Sequence, residues 1–488
     1  MQRNNSMYVD GSWRDTTGSD KSLVVNPHTE EPWAETMSAS ANDVDLAVCS
    51  ADRALHGEWA QVPLDERIAM VLRIRELMQR RKLEIGQLQT RSMGCLYKYA
   101  PFLGGALELI DMFVESARKV AFDYLRSDRF GNSLISRRPV GVVAGIVPWN
   151  APVRSEIKKA IPALLSGCSV VLKPAPETPF AAAKFAEICS EAGVPPGVVN
   201  VVFGGPATGE ELVRHPKVRK IAFTGSSVTG AKIAALASSS FKRLQLELGG
   251  KSAAIVLEDA NLEETVPLLV TSAWSNSGQA CSANTRILAP RKRYGEIVEA
   301  LVAAAAAQVV GDPMDPATTL GPLVSKRQRD RVLSYVAIGR SEGAQVVAGG
   351  GPPGHLERGY YVSPTVFTAV RNEMRIAQEE IFGPVTCVIP YATEEQAVAI
   401  ANDTAYGLHG GVYGQDQQHA LSIARQLDTG SVGVNQYFLA SSAPFGGVKH
   451  SGIGREHGPE GFDSFLEYAS YNVSPTLAAE LSNRYPAG

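Results

Sequence analysis

The sequence predicts an α/β fold made of two doubly wound domains that follow one another along the chain. The first observation is a series of short, apolar, β-rich runs, which suit strands buried on both faces. These runs are PVGVVAGIVP from 139, GCSVVLKP, VVNVVFG, KIAFTGS and LQLELGG, which ends at 250. The second observation is that helical stretches of about 10–15 residues lie between them, at 153–166, 178–192, 207–214 and 226–239. Alternation of strand and helix is the pattern of a doubly wound sheet.

A second alternating series follows, and it predicts the second domain. Helix-like stretches at 261–277, 292–309, 393–402 and 417–427 alternate with the strand-like runs TRILAP, AQVVAGG, YYVSPTVF, GGVYG and GSVGVN. Further helices are predicted at 43–56 and 64–92. Residues 121–140 and the tail after 465 alternate like strands but belong to neither series. Exposed strands of this kind often pair with another chain.

The composition narrows the class of protein. A chain of 488 residues is long enough for two domains or more. Its net charge of -3 gives no electrostatic reason to expect a nucleic acid or an acidic membrane surface as partner. No apolar run approaches the ~18 residues that a membrane span needs, and the N-terminus lacks the pattern of an export signal. The six cysteines and eight histidines are scattered, so we expect a reducing, cytoplasmic location and no metal site.

Cys281 differs from the other cysteines in its setting. It lies in SNSGQACSAN (275–284), behind a Gly-Gln-Ala approach where backbone amides can come close to a substrate oxygen. Cys168, Cys189 and Cys387 lie instead in or beside apolar runs, as core residues do. A lone cysteine is most often a small buried hydrophobic residue. The setting is what makes Cys281 a candidate nucleophile.

Other polar groups stand at the ends of predicted strands, where sheets of this kind present their ligands. Asn150 can be an oxyanion donor or a helix cap, and Lys173 can meet a ribose or phosphate or simply face water. Gly225 and Ser226 can open a helix with free amides for a phosphate, or form a plain cap. Glu247 can be a buried base or a paired structural carboxylate.

Seven motifs together resemble those of the aldehyde dehydrogenase superfamily over essentially the whole chain. They stand in the order expected of that family, and the spacing of 34 residues from Glu247 to Cys281 suits it. The motifs are PWN (148–150), KPAPETP (173–179), FTGS (223–226), ELGGK (247–251), GQAC (278–281), EEIFGPV (379–385) and PFGGVKHSGIGRE (444–456). One such motif is a weak signal, whereas seven in order are a strong one.

The resemblance implies a Rossmann-like NAD(P)-binding domain, a catalytic domain and a small β oligomerisation arm. On this sequence the cofactor domain would comprise 1–120 and 141–249, the catalytic domain 250–464, and the arm 121–140 and 465–488. The implied assembly is a homodimer or homotetramer, and the implied substrate is a small-molecule aldehyde.

The resemblance also implies a two-step reaction that the residue chemistry supports. The Cys281 thiolate attacks the aldehyde carbon, and the Asn150 amide and the Cys281 backbone N–H hold the oxyanion of the thiohemiacetal. Hydride leaves to the nicotinamide and gives a thioester. Glu247 activates water to release the carboxylic acid, and Lys159 supports the proton path.

Eleven positions match the cofactor site of the family. Lys173 and Glu380 correspond to ribose contacts, Gly225 and Ser226 to the phosphate turn, and Phe382 to the nicotinamide wall. The complete set is Trp149, Lys173, Pro176, Gly205, Gly209, Phe223, Gly225, Ser226, Leu248, Glu380 and Phe382. Pro176 stands where the family has its cofactor-selecting glutamate, so we expect NAD as the main cofactor with measurable use of NADP.

Three alternatives stay open. A cysteine-dependent esterase or hydrolase would use Cys281 and Glu247 without Lys173 or the phosphate turn. A CoA-acylating semialdehyde dehydrogenase would generally lack the water-activating glutamate, and Glu247 is present. A non-catalytic relative would have no use for Cys281, Glu247 and Asn150 together.

The helix after PWN carries two cations on one face, Arg154 and Lys158, spaced four residues apart. Together they could hold a carboxylate or another polar tail of the substrate, with the Arg154 guanidinium binding in a two-pronged way. Alternatively, Glu156 or another acid neutralises them, and they serve a subunit contact or face water. Leu439 and Phe445 on the opposite wall would suit an apolar aldehyde body in either case.

Overall fold

Two large sheets organise the chain. In this computed structural model, which describes residues 2–486 and the side chains of 5–486, the first sheet has eight strands. Five of them are parallel and lie side by side in the order five, four, one, two, three of their sequence, which is the order of a doubly wound sheet. From edge to edge the strands are Gly452–Ile453, Arg243–Glu247, Val218–Thr224, Val142–Ile146, Ser169–Lys173, Val199–Val201, Ser6–Val9 and Ser12–Asp15.

The second sheet has seven strands and is parallel except at one edge. From edge to edge the strands are Gln345–Ala348, Thr365–Thr368, Val385–Tyr391, Asn284–Pro290, Ser252–Val256, His409–Tyr413 and Ser431–Val434. Every residue of Ser252–Val256 and Asn284–Pro290 is buried, as expected of strands with both faces covered. The α/β fold class predicted from the alternating pattern is confirmed.

The two segments outside both series form a sheet of their own. Leu466–Val473 pairs antiparallel with Gly131–Pro139 along its whole length, and Gly131–Pro139 pairs with Asp123–Asp128. Leu466–Val473 is therefore an edge strand, whose outer backbone groups have no partner within this sheet. The last two residues of the predicted arm 465–488 lie outside the described residues.

The remaining strands and the helices surround these sheets. Small sheets are formed by Gln2–Asn4, Glu31–Met37 and Lys21–Asn26, and by Tyr406–Gly407 with Val448–Lys449. The α-helices are Ala41–His56, Leu64–Arg80, Lys82–Met93, Ala106–Lys119, Pro152–Ser166, Pro179–Glu191, Pro206–Arg214, Ser227–Ser238, Leu262–Trp274, Tyr294–Ala306, Lys326–Ser341, Arg375–Gln378, Glu394–Asn402, Gln417–Ala424, Gly458–Asp463 and Pro475–Leu481. Single 3-10 segments cover Glu58–Gln61, Tyr97–Gly105, Ser275–Gly278 and Arg291–Arg293. Within residues 2–486, no helix is both long and apolar enough to span a bilayer.

The helix Pro152–Ser166 packs in the centre of the first domain, with every residue buried except Arg154. Proline at its first position and left-handed Gly167 after its last residue define its ends. The helix nevertheless buries three ionisable side chains, Glu156, Lys158 and Lys159. Burying a charge is costly unless it is paired. Each of these three groups must therefore pair with an opposite charge or lose its own charge.

Two predicted elements differ from the structure. The stretch 64–92 is not one helix, because it breaks at Arg81, where the backbone leaves helical geometry (φ -101°, ψ 12°). The run YYVSPTVF (360–367) contributes only its last three residues to a strand, which covers Thr365–Thr368. Pro364 has no N–H to donate to a ladder, which explains why the strand begins after it.

The predicted domain ranges remain a prediction, and one strand bears on them. Gly452–Ile453 belongs to the range 250–464 assigned to the catalytic domain, yet it pairs antiparallel with Arg243–Glu247 at the edge of the first sheet. The chain therefore returns to the first sheet near its end, which brings the last of the seven motifs beside Glu247.

Candidate active site

Cys281 follows a turn in which backbone strain is concentrated. Asn276, Ser277 and Gly278 have φ values of 52°, 58° and 72°, and this left-handed conformation is costly for the two non-glycine residues. A β-carbon at Gly278 would overlap the carbonyl oxygen of Gly383, so glycine is required there. The GQAC motif is thus the end of a strained turn packed against backbone.

The PWN turn of the first sheet contacts this strained turn directly. Nδ2 of Asn150 donates to the carbonyl oxygen of Gln279 across 3.0 Å, and Nδ2 of Asn276 donates to the carbonyl oxygen of Asn150 across 3.1 Å. The Asn150 amide is therefore fixed two residues from Cys281. Its second N–H has the chemistry needed to stabilise an oxyanion.

The ELGGK motif approaches Cys281 from the other side. A β-carbon at Gly250 would overlap the carbonyl oxygen of Cys281, so the two backbones are in close contact at this point. The N–H of Gly250 also donates to Oε1 of Glu380 across 3.1 Å. One glycine thus connects the nucleophile turn with the EEIFGPV segment.

Glu247 ends its strand with a carboxyl group that is buried. The residue is 2% exposed, and neither carboxylate oxygen has a hydrogen-bond partner among the described residues. Burial, and after it repulsion from Glu456, raises the pKa of Glu247 well above its ordinary value. Once ionised, this carboxylate is therefore a strong base.

Glu456 is neutralised by two lysines. Its Oε2 lies 2.8 Å from Nζ of Lys158 and its Oε1 lies 3.1 Å from Nζ of Lys159. Burial alone would raise the pKa of Glu456, but the charges of the two lysines outweigh burial and hold the pKa well below its ordinary range. Lys158 is therefore neutralised by Glu456 and not by Glu156, which favours the alternative that another acid pairs with this cation over a tail held by Arg154 and Lys158 together.

Burial raises the pKa of the Cys281 thiol to about 12, and the positive charge of Lys158 acts in the opposite direction. Three carboxylates, Glu247, Glu380 and Glu456, raise this pKa further. The thiol is therefore protonated at neutral pH, and its ionisation depends on the cations that face it.

A cavity of about 570 Å³ opens in front of Cys281. Eight of the fifteen predicted site residues line it, namely Trp149, Asn150, Gly225, Ser226, Leu248, Cys281, Glu380 and Phe382. The rest of its wall is formed by Pro148, Thr224, Ser227, Val228, Gly249, Arg327, Gln328, Arg331 and Tyr406. The structure thus brings together side chains from five of the seven motifs.

The other seven predicted residues do not line this cavity. Glu247, Lys159 and Phe223 are buried, and Nζ of Lys159 donates to Oγ1 of Thr224, which lines the cavity. Lys173 lies beside Gly209 and Gly204, the neighbour of Gly205, and Pro176 lies in the turn that follows Lys173. Nζ of Lys173 donates to the carbonyl oxygens of Pro174 (2.9 Å) and Gly204 (2.8 Å). Burial lowers the pKa of Lys173 to about 8.

The cavity has the features that a dinucleotide requires. Ser226 caps the helix Ser227–Ser238 by accepting from the N–H of Thr229, and the exposed start of this helix offers N–H groups to a phosphate. A β-carbon at Gly225 would overlap the ring of Phe223, so this turn lies flat against the sheet. These residues therefore suit NAD.

The helix Lys326–Ser341 was not predicted, although it fixes one wall of the cavity. Nε2 of Gln328 donates to the carbonyl oxygen of Phe382 (2.8 Å), and Nη2 of Arg331 donates to that of Glu380 (2.6 Å). A signal was present in the sequence, because Val332, Tyr335, Val336 and Gly339 are buried at helical spacing. The charged start KRQRDR masks this pattern.

A group of potential metal ligands lies apart from the cavity. One ligand atom each of Asp45, Cys49 and His215 falls within 4.8 Å of the others. Nδ1 of His215 accepts from the N–H of Lys217, which leaves the proton on Nε2, where it can be donated to Asp45 across 3.1 Å. These hydrogen bonds explain why Asp45 and His215 lie close together at the surface.

The chain is similar to known proteins over nearly its whole length. The model of the aldehyde dehydrogenase family matches residues 13–471. Geranial dehydrogenase of Castellaniella defragrans is 42% identical over 468 residues, 95% of this chain and 98% of that protein. The 3-succinoylsemialdehyde-pyridine dehydrogenase of a Pseudomonas species is 40% identical over 474 residues, 96% of this chain and 98% of that protein. The crystal structure of Mycobacterium tuberculosis aldehyde dehydrogenase complexed with NAD+ matches with a TM-score of 0.95 at 43% identity, covering 97% of this chain and 98% of that one.

Proposed function

Because the chain belongs to the aldehyde dehydrogenase family, we propose that it oxidises an aldehyde to the carboxylic acid with NAD, using Cys281 as nucleophile and Glu247 as base. The observation that carries this proposal is the hydrogen bond from Asn150 to the turn of Cys281. It fixes an amide donor beside a thiol on the wall of a cavity suited to a dinucleotide. A buried carboxylate with a raised pKa completes the set.

NAD is supported by the residues of the cavity and by a relative solved with NAD+ bound. The N–H groups at the start of helix Ser227–Ser238 would hold a phosphate, and the carboxylate of Glu380 would accept from a ribose hydroxyl. Trp149 and Phe382, whose rings meet edge-to-face at 5.3 Å, would border the nicotinamide. When bound, NAD supplies the acceptor for the hydride that leaves the substrate carbon.

In the first half-reaction Cys281 loses its thiol proton to solvent, and its sulfur bonds to the carbonyl carbon. The π-electron pair of the carbonyl moves onto oxygen, where the Asn150 amide and the Cys281 backbone N–H stabilise the charge. Because Asn150 is bonded to the nucleophile's own turn, donor and sulfur keep their relative position during attack.

The second half-reaction begins once the oxyanion has re-formed the carbonyl double bond and the carbon has lost its hydrogen as hydride to the acceptor that bound NAD would supply, which leaves a thioester on Cys281. Ionised Glu247 takes a proton from water, the water oxygen bonds to the acyl carbon, and the carbon–sulfur bond breaks to return the thiolate and release the acid. Lys159, which contacts both Glu456 (3.1 Å) and Oγ1 of Thr224 (2.8 Å), would stabilise the ionised carboxylates. Because Glu247 can activate water, its presence favours hydrolysis of the thioester over transfer of the acyl group to CoA.

The test is NADH formation from a panel of aldehydes, followed by absorbance, in wild type and in Cys281→Ala. Wild type should reduce NAD, and Cys281→Ala should lose both this activity and any esterase side activity, because no covalent intermediate can form. Ester cleavage without NAD reduction by any aldehyde would instead favour the hydrolase alternative. A fully active Cys281→Ala would rule out the proposed nucleophile.

A further inference from the structure

Two consecutive lysines of one helix bind the same carboxylate. Side chains of neighbouring helical residues point about 100° apart, so Lys158 and Lys159 can meet Glu456 only if it lies between their directions. Each lysine takes a different carboxylate oxygen, at 2.8 and 3.1 Å. The side chains of Lys158, Lys159 and Glu456 are 10%, 0% and 1% exposed, so water screens these ion pairs little.

Apart from Glu456, the two lysines contact different residues. Lys159 also donates to Oγ1 of Thr224, on the side of the first sheet. Nζ of Lys158 lies 4.9 Å from the centroid of the Phe445 ring, a cation–π distance. The backbone of Phe445 is in turn bonded to that of Glu456 in both directions, at 2.7 and 2.6 Å. Lys158, Phe445 and Glu456 therefore hold one another, and Lys159 lies outside this group.

The charge of Lys158 also acts on the nucleophile. After burial, its charge is the largest influence on the pKa of Cys281, and it is the influence that favours the thiolate. The other ionisable groups that act on or sense the Cys281 thiol are Glu247, Glu380, Glu456, Arg154 and Tyr437. Without Lys158, Arg154 would be the remaining cation of this set, against three carboxylates that disfavour the thiolate.

We propose that Lys158 is a positioning residue, which fixes Glu456 from the Phe445 side and supplies the positive charge that favours the Cys281 thiolate. Its part in catalysis rests on the proposed function. Loss of Lys158 leaves Glu456 held by Lys159 alone and removes the cation opposing the three carboxylates near the sulfur. The thiolate then forms at higher pH, and attack on the aldehyde slows.

The test is the pH dependence of Cys281 alkylation by iodoacetamide, measured by mass spectrometry of the peptide that contains Cys281. NAD and aldehyde are left out, so the readout does not require dehydrogenase activity. In Lys158→Met the profile should move to higher pH by about one unit or more, with about tenfold slower alkylation at neutral pH, the effect of losing one nearby charge. If the methionine variant does not fold, Lys158→Gln removes the same positive charge and keeps a polar side chain.

Two comparison variants separate charge from position. Lys158→Arg keeps the cation and should give a profile close to that of wild type. Arg154→Met removes an equal charge from the same helix face without contact to Glu456, and should shift the profile less. A wild-type profile in Lys158→Met and Lys158→Gln, or an equal shift in Arg154→Met, overturns the proposal.

Steady-state kinetics supply a second readout. Lys158→Met should lower kcat/KM mainly through the rate of acylation, and Lys158→Arg should restore most of it. If wild type reduces no NAD with any aldehyde, the proposed function fails and the alkylation profiles still decide the charge effect of Lys158. If wild type is active and Lys158→Met alkylates and turns over normally, only the role of Lys158 fails.

Discussion

Asn150 and Gln279 join the two large sheets of the molecule through one hydrogen bond of 3.0 Å. Asn150 follows a strand of the first sheet, and Gln279 precedes a strand of the second. The side chain of Gln279 is itself held, because its Oε1 accepts from the backbone N–H of Val324 at 2.9 Å. The proposed oxyanion donor is thus tied to the nucleophile's turn, and a shift of either sheet would move both groups together.

The Glu247→Gln variant should complete the first half-reaction and fail in the second. Glutamine cannot take a proton from water, so NADH should appear in a burst, followed by turnover slower by about 10²–10⁴-fold. Since the pKa of Glu247 is raised, its base form increases as pH rises. Wild-type turnover limited by deacylation should therefore increase with pH until this pKa is passed, and the variant should lose that dependence.

Stopped-flow measurement of NADH at several pH values checks both expectations. Glu263→Gln is the matched control, because it changes an exposed carboxylate at the start of another helix, and it should behave as wild type. Turnover of Glu247→Gln at the wild-type rate would show that Glu247 is not the base.

The fold and the geometry of much of the candidate site could be predicted because the relevant signals are local in the sequence. Strands covered on both faces appear as continuous apolar runs, and Asn150 and Cys281 belong to short motifs at the ends of such elements. The pairing of Lys158 with Glu456 gives no local signal. The contact of Lys159 with the same carboxylate spans 297 residues, so only the folded chain reveals which acid neutralises these cations.

Helical spacing alone also left open whether Arg154 and Lys158 share a role. Residues four apart lie on one face of a helix, and this part of the prediction describes the helix correctly. What each cation does depends on the element packed against it. Lys158 forms an ion pair with Glu456, whereas Arg154 donates to the carbonyl oxygen of Gly104 in a 3-10 segment.

The Pro176→Glu variant should reduce the use of NADP far more than the use of NAD. A glutamate there would repel the 2′-phosphate of NADP and accept hydrogen bonds from the adenosine ribose of NAD. Pro176 occupies the second position of a turn closed by the N–H of Thr178 and the carbonyl oxygen of Ala175 at 3.0 Å, a position open to most residue types. The ratio of kcat/KM for NADP to that for NAD should fall about tenfold or more, since one like-charge contact is worth ~1–4 kcal/mol.

Pro176→Gln separates charge from size in this experiment, and it should change the ratio much less. An equal effect of glutamine and glutamate would assign the change to the backbone. Absence of any NADP reduction by wild type would mean that other residues exclude the phosphate.

Glu156 should make the protein less stable as pH rises. It is 1% exposed, its Oε1 has no partner among the described residues, and burial raises its pKa to about 8 from 4.5. The folded state keeps a proton that the unfolded chain releases, so stability falls between about pH 4.5 and pH 8 and levels off above this range.

Glu156→Gln keeps the shape of the side chain and cannot ionise. Its melting temperature relative to wild type should therefore rise with pH across this range, reflecting a few kcal/mol at the alkaline end. Glu299→Gln, in an exposed helical position, should show no such trend. A constant difference between wild type and Glu156→Gln from about pH 5 to pH 8 would contradict the burial argument.

The edge strand Leu466–Val473 should join subunits into a dimer, or a tetramer built from dimers. Tyr468 and Tyr471 on this strand are 51% and 45% exposed, and a free edge of this length favours pairing with a second chain. Sedimentation velocity at micromolar concentration measures the assembly. Tyr471→Lys should weaken it, whereas Val347→Lys, on the edge of the second sheet, should not. A stable wild-type monomer would refute the prediction.

Arg154 is the cation left to bind a charged substrate tail. It forms one hydrogen bond, to the carbonyl oxygen of Gly104 at 3.1 Å, and no ion pair within the described residues. Its guanidinium has further N–H groups for a two-pronged contact with a carboxylate. Arg154→Ala should therefore lower kcat/KM for an aldehyde with a terminal carboxylate by about tenfold or more, and should leave a neutral aldehyde of equal length nearly unaffected. Arg154→Lys keeps the charge but cannot make the two-pronged contact, so its kcat/KM for the carboxylate substrate should lie between those of wild type and Arg154→Ala. Equal loss on both substrates, or no loss, would indicate a hydrophobic aldehyde whose body packs against Leu439 and Phe445.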